Sequence, residues 1–241
     1  MESIAAALES GTINLRSSSL QLLDLPEVST EKARLAAATF AHFPPDANPK
    51  GIALALRVAN ELRRVDQLDR PKIEIAWTGP QAGGPLVRPT RLVIEEMLQG
   101  VHDFGDILVV GYSLTIPGGS AMDRVVRLLE AASERKANVT LVLHRDESEE
   151  NREGLMRAWS MTVKKPRILT WSPPPDHPYP KLHAKVLVVD RIEALVGSAN
   201  LTFHGLESNL ELGLRVRGPQ AAAIAERFDH LEASGVLKPW D

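Results

Sequence analysis

The chain has no cysteine among its 241 residues. That single absence excludes disulfides, thiolate zinc sites, iron–sulfur clusters and a cysteine nucleophile. Also lacking is any apolar run approaching the roughly eighteen residues that a membrane-spanning helix needs. Met1-Glu2-Ser3 has neither the basic start nor the apolar run of a signal peptide, so a cytoplasmic protein is expected. Positive charge is not in excess: 28 Lys and Arg stand against 31 Asp and Glu, a net charge of -3. Such a balance argues against one broad basic face coating nucleic acid. No aromatic-rich or amphipathic lipid-docking segment stands out. What is there, 44% apolar and 24% charged residues, is the profile of a globular chain with room for one large domain or two small ones.

Residues 1–70 read as helical. Ser29 to Phe43 starts with Ser and Thr cap candidates, is rich in alanine and stops at Pro44-Pro45. Lys50 to Val65 follows, with Leu54, Val58 and Leu62 at four-residue spacing on one face. Two antiparallel helices joined by the PPDANP turn are the simplest expectation, with Asp66 to Pro71 as a linker. This segment holds eight Lys and Arg against nine Asp and Glu and no chemistry-bearing pattern. It reads as a packing or dimer-shaping preface.

From Lys72 the pattern changes to strands alternating with helices. Strands are expected at Ile73–Trp77, Ile107–Tyr112, Val139–His144, Arg167–Trp171, Lys181–Val189, Ala194–Val196 and Asn209–Val216. Helices are expected at Thr90–Leu98, Met122–Arg135, after Asp146, and from Gln220 to about Ala233. An α/β layer structure over residues 71–241 follows, with helices covering a sheet. The glycines at Gly79, Gly83 and Gly84 lack the lysine and spacing of a P-loop and suggest a loop at a rim. The acidic run Asp146, Glu147, Glu149, Glu150 and Glu153 suits a solvated helix start.

One stretch carries chemistry: KLHAKVLVVDRIEALVGSAN, containing His183, Lys185, Asp190, Gly197, Ser198 and Asn200. His183 and Lys185 lie two apart on an apolar strand, so their side chains share a face. If the chain reverses at Asp190-Arg191, the returning strand brings Ser198 about opposite His183, with Asn200 just beyond. Imidazole, ammonium, hydroxyl and carboxamide would then converge as equipment for a tetrahedral anion. Asp190 lies roughly 23 Å along an extended strand from His183 and points to the other face. It is expected to fix the turn, with Gly197 as its structural companion in the motif. Downstream, Leu210, Leu212, Leu214 and Val216 alternate with Asn209, Glu211, Arg215 and Arg217.

The spacing H-x-K, four residues, D, six residues, G-S-x-N resembles the HKD signature of the phospholipase D superfamily, with no position missing. The resemblance implies an α/β fold with a mixed central sheet flanked by helices, here preceded by the helical segment. It implies a two-step displacement in which one histidine forms a phosphohistidine and a second serves as acid and then base. Lysine and asparagine would hold the non-bridging oxygens, and no metal or cofactor is required. Glu211, eleven residues after Asn200, stands where the superfamily usually has an acidic residue, and a carboxylate there would orient the imidazole. Two HKD copies are normally needed. None of the other six histidines (His42, His102, His144, His177, His204, His230) has a lysine two residues later. A homodimer that completes one site across a two-fold axis is therefore expected.

IAWTGP at Ile75–Pro80, RPTRLVIEEM at Arg88–Met97 and ILVVGYSLT at Ile107–Thr115 carry a narrower resemblance, to phospholipase D-like proteins of the bacterial DISARM anti-phage system. It implies phosphodiester or nucleic-acid chemistry in phage defence, alongside other defence-system proteins. Lys181, Arg88, Arg91 and Tyr112 are candidate substrate-binding residues. Between Lys164 and Arg191 six basic residues face two acidic ones, and this local charge is expected to gather phosphate around the motif. The competing readings are a phospholipid hydrolase or transferase and a catalytically silent scaffold.

Overall fold

The computed structural model describes every residue except 45, 70, 81–86, 146, 147, 175, 177, 178 and 241, and only the backbone of 65–69. Gly83 and Gly84, Asp146 and Glu147, and His177 therefore lie outside the described residues. The chain divides into two units, Met1–Arg70 and Pro71–Asp241.

The first unit consists of α1 (Glu2–Ser10), α2 (Ser19–Leu23), α3 (Thr30–Phe40) and α4 (Pro49–Asp69). Ser29 caps α3 by accepting from the Lys32 amide, and Ser18 and Gln21 form a reciprocal capping box on α2. Two expectations are corrected here. First, α3 packs chiefly on α2 and α4 on α1, so the two helices flanking the PPDANP turn are not each other's main partners. Second, α4 buries Ile52 and Ala53 against Ile4, Ala5 and Leu8, while Leu54, Val58 and Leu62 are each at least half exposed. Arg57 lies beside this contact and bonds Glu2 at 2.8 Å and Glu9 at 2.7 Å on α1. Helix α4 also continues to Asp69, through most of the expected linker.

The second unit runs β1 (Lys72–Thr78), β2 (Arg88–Pro89), α5 (Thr90–Gln99), β3 (Asp106–Gly111), α6 (Ala121–Glu134), β4 (Asn138–Leu143), α7 (Glu150–Ala158) and β5 (Arg167–Trp171). It continues with β6 (Val186–Val189), β7 (Glu193–Gly197), α8 (Phe203–Glu207), β8 (Glu211–Arg217), α9 (Pro219–Ala233) and β9 (Leu237–Pro239). The described strands form one mixed sheet in the order β2-β1-β8-β7-β6-β3-β4-β5-β9. Strands β3, β4 and β5 are parallel, joined by α6 and α7, and their carboxyl ends point the same way. Strands β6, β7 and β8 form an antiparallel meander between β3 and β1.

Helices α5 to α8 cover one face. Met122, Val125, Val126, Leu129 and Ala132 of α6 recur at helical spacing and meet Val109, Leu141 and Leu143 from the sheet. On the other face α9 covers Val188 and Ala194 with Ala221 and Ala225. It does not extend over the outer strands, so Ile73, Ile75, Val196, Leu212 and Leu214 stay exposed there. The leucine side of β8 is thus the solvent side. On its other side Gly213 and Arg215 are buried, and Arg215 is fully matched: it reaches Glu193 at 2.7 Å, Glu96 at 2.8 Å and Glu74 at 3.3 Å. Arg88 also bonds Glu74 and Glu96, and Arg217 bonds Glu96 and Glu193, so three guanidiniums balance three acids. Bonds from Arg88 and Arg215 hold the Glu96 carboxyl down at about 2. Among the described residues, no helix is long and apolar enough to cross a membrane.

Candidate active site

Of the residues singled out by spacing, all but Asp190 lie toward the carboxyl ends of β3 and β4. Strand β6 begins at Val186, later than expected, so His183 and Lys185 sit in an extended lead-in. Pairing persists one step beyond the strand, where the Gly197 amide donates to the Lys185 carbonyl at 3.2 Å. The Lys185 ammonium then folds back onto His183, 2.9 Å from Nδ1 and 2.8 Å from the carbonyl oxygen. It also lies 3.1 Å from Nε2, so the ammonium stands against both ring nitrogens. Burial pushes the Lys185 amine below its ordinary value, and the nearby Glu211 charge opposes this.

Tyr112 forms the wall of the cluster. Its ring lies 4.8 Å from that of His183 and stacks on His144 at 4.9 Å. Its hydroxyl accepts from Lys181 at 3.3 Å. Lys185 stands 5.6 Å over the Tyr112 ring, a cation–π distance.

Ser198 extends the β7–β8 pairing, its amide donating to the Leu212 carbonyl at 3.1 Å. Its hydroxyl donates to Glu211 and accepts from the Leu212 amide at 3.2 Å. Glu211 also accepts from Asn209 at 3.0 Å. The carboxylate is thus held by Ser198 and Asn209, not by the His183 ring as expected. Asn200 follows in the turn into α8, and its carboxamide oxygen is buried without a partner among the described residues. Gly197 is required because a Cβ there would stand 2.8 Å from both Gly213 Cα and the Leu212 carbonyl oxygen.

Asp190 lies at the opposite end of β6. Asp190 and Arg191 both take left-handed backbone conformations, φ 52° and 57°, in a tight turn. The buried Asp190 carboxylate accepts from the amides of His102 at 2.9 Å and Asp106 at 3.0 Å, and meets His102 Nδ1 at 2.6 Å. Gly105 makes room for it: a Cβ there would fall 2.1 Å from Asp190 Oδ1.

The expected basic patch is split. Only Lys181 and Lys185 belong to the cluster. Lys164, Lys165, Arg167 and Arg191 line a cavity at the other end of the sheet, with Asp106 and Asn138 at the amino ends of β3 and β4. Nearness in sequence failed as a guide because extended chain advances about 3.3 Å per residue. Arg88 and Arg91 are likewise not in the cluster. Arg88 bonds Glu74 and Glu96, and Arg91 bonds Glu95 and Glu207.

Two positioning residues carry no motif and were missed. Buried Asn151 of α7 donates to the carbonyls of Tyr112 at 3.0 Å and His144 at 2.8 Å and accepts from the Leu114 amide at 2.7 Å. It ties together the two strand ends that present the aromatic wall. Gly205 of α8 lies against Asn200, where a Cβ would fall 2.3 Å from the Asn200 carbonyl oxygen. A lone Asn in a helix and a lone Gly after Thr202 give no sequence signal by themselves.

A mixed sheet thus brings a histidine, two lysines, a serine and a carboxylate together at its strand ends. The chain belongs to the phospholipase D-like family: residues 106–232, which include the whole motif, match the model described as the cardiolipin synthase, phospholipase D-like domain. It is similar to the DISARM protein DrmC of Bacillus paralicheniformis, with 33% identity over 165 residues, covering 66% of this chain and 62% of that protein. The chain thus spans under two thirds of that relative's length. Two solved structures share the fold. Nuc from Salmonella typhimurium, a phospholipase D family member, superposes with a TM-score of 0.52 at 20% identity, over 71% of this chain and 99% of its own. NucT from Helicobacter pylori gives 0.53 at 13% identity, over 71% of this chain and 100% of its own.

Proposed function

We propose that this protein is a metal-independent phosphodiesterase of bacterial phage defence, a nuclease whose active site is completed by a second copy of the chain. The observation that carries this reading is the packing of His183 and Lys185 against Tyr112, with Ser198 and Glu211 alongside. The defence context rests on the similarity to DISARM protein DrmC.

In this mechanism His183 attacks phosphorus, forming a P–N bond as the P–O bond to the leaving oxygen breaks. His183 of the second copy protonates that oxygen and then takes a proton from the water that hydrolyses the phosphohistidine. Lys185 and Asn200 hold the non-bridging oxygens, Asn200 through its amide nitrogen. Lys185 lies against the His183 ring, where its ammonium can meet a phosphate oxygen that the ring attacks. Ser198 and Glu211 brace the β7–β8 edge of the site.

A single motif leaves half a site, and the exposed apolar face formed by Ile73, Ile75, Val196, Leu212 and Leu214 runs up to Ser198. A contiguous apolar patch beside a half-site supports a second copy as the occupant of that face.

The test is a panel of single- and double-stranded DNA and RNA and of phospholipid vesicles, all in EDTA, with sedimentation of the same sample. Cleavage of nucleic acid by a dimer, lost in His183→Ala, is expected. Leu214→Arg should give a folded monomer without turnover. Hydrolysis confined to vesicles would move the substrate to lipid, a fully active monomer would refute the shared site, and an inert dimer would leave a scaffold.

A further inference from the structure

The cavity that gathers Lys164, Lys165, Arg167 and Arg191 has no part in the chemistry at His183. It is a partly enclosed space of about 520 Å³ between α9 and the sheet, a size typical of small-molecule pockets. Leu108, Val142, Leu169 and Val188 form its floor and Phe228 lies along its roof. Half-buried Thr140 stands in that floor on the same face of β4 as Val142.

The charges around it are not equivalent. Arg167 is neutralised by Glu232 of α9 through two bonds of 2.6 and 2.8 Å. Arg191 is neutralised by Asp229 of α9 at 2.7 Å. These two pairs pin α9 to the sheet on either side of the opening. Lys164 and Lys165 remain, and among the described residues neither ammonium has a carboxylate partner. The space therefore combines an aliphatic interior with two lysines that make no ion pair among the described residues, and with Asp106 also in the lining the cavity keeps a net positive charge of one. A nucleic-acid backbone needs an open track lined by free cations. Here the roof closes the track, and the arginines are already occupied.

We propose that this cavity is a second binding site, for a small amphipathic anion whose apolar body lies beneath α9 and whose phosphate or carboxylate head meets Lys164 and Lys165. An apolar body gains by leaving water, and an anionic head at a mouth that stays hydrated keeps most of its solvation. The site adjoins the Asp190–Arg191 turn at one end of β6, while His183 precedes the other end. Occupancy is therefore separate from catalysis.

The test is calorimetric titration of the full chain with decyl phosphate, below its micelle-forming concentration. Saturable binding is expected, weakened about tenfold or more by the pair Lys164→Glu and Lys165→Glu and by Thr140→Phe, which fills the floor. His183→Ala and Leu212→Ser should leave it unchanged, since they alter the catalytic cluster and the exposed apolar face. No saturable binding, or equal affinity after the lysine charges are reversed, would overturn the proposal. So would loss of binding in His183→Ala or Leu212→Ser, because the ligand would then sit elsewhere. The two lysines are at the surface, so that pair of substitutions remains informative even if Thr140→Phe does not fold.

Discussion

Replacing Asp190 separates a structural role from a chemical one more cleanly than any other change in the motif. Its carboxylate is buried and takes two backbone amides and the His102 ring, at 2.9, 3.0 and 2.6 Å. Hydrogen bonds to a charged acceptor contribute about 1.5–3 kcal/mol each. His102 and Asp106 are exposed residues, so water recovers part of what the two amides lose. Asp190→Ala is therefore expected to cost about 2–3 kcal/mol in lost bonds. Alanine in the left-handed conformation that Asp190 holds adds about 1 kcal/mol. A total of about 3–4 kcal/mol lowers the melting temperature by roughly 6–16 °C for a chain of this size. Asp190→Asn tolerates the turn and keeps one acceptor oxygen, so roughly half that loss is expected. The assay pairs scanning calorimetry with hydrolysis of bis(p-nitrophenyl) phosphate in EDTA, measured well below the melting transition and normalised to folded protein. Turnover of the folded Asp190→Ala protein should stay within about threefold of wild type, under 1 kcal/mol in the barrier. A variant that melts like wild type, or one fully folded yet inert, would refute the reasoning.

Three further outcomes follow from the contacts. Asn151→Leu should cost about 2–4 kcal/mol, because it strands buried polar backbone, and should lower turnover as the Tyr112 and His144 ends drift apart; calorimetry and steady-state kinetics report both. Gly205→Ala should reduce turnover more than it reduces stability, since the intruding Cβ moves Asn200, and a crystal structure or amide exchange at Asn200 would register the shift. Glu96 is held near 2 in the folded chain against an ordinary 4.5. A lowered carboxyl stabilises above its unfolded value and loses that contribution as pH falls through its folded one. Stability should therefore decline between about pH 4.5 and 2. Solvent screening limits the share from this exposed residue to about 1 kcal/mol or less, and Glu96→Gln should flatten that part of an acid-unfolding curve.

The parts of the molecule most legible in the sequence are those with a local cause. The periodicity of Met122, Val125, Val126 and Leu129 marks α6 because one helix face meets one sheet face. The continuous apolar runs of β3 and β4 reflect burial on both sides. The HKD spacing brings histidine, lysine and serine to one place because a two-strand reversal fixes that distance. What escaped depends on partners distant in sequence. Leu54, Val58 and Leu62 form a regular stripe, yet Ile52 and Ala53 are the residues buried against α1, with Arg57 bonding Glu2 and Glu9 beside them, and the stripe faces outward. The leucines of β8 alternate as cleanly as a core strand, but Arg215 opposite them finds acids from β1, α5 and β7. Lys164 precedes the motif and Arg191 lies within it, yet both lie away from His183 in space, since β6 carries the Asp190–Arg191 turn to the far end. Asn151 works through three backbone groups, and backbone groups leave no letter in the sequence.

The central claim is that His183 carries a phosphodiester reaction. Rapid acid-free quenching of the full chain during turnover of bis(p-nitrophenyl) phosphate in EDTA, followed by peptide mass spectrometry, tests it most directly. The account predicts a phosphoryl adduct on His183 that forms and decays at the rate of turnover, with both adduct and turnover absent in His183→Ala. Turnover that continues in His183→Ala, or proceeds with the adduct on another residue, would contradict it.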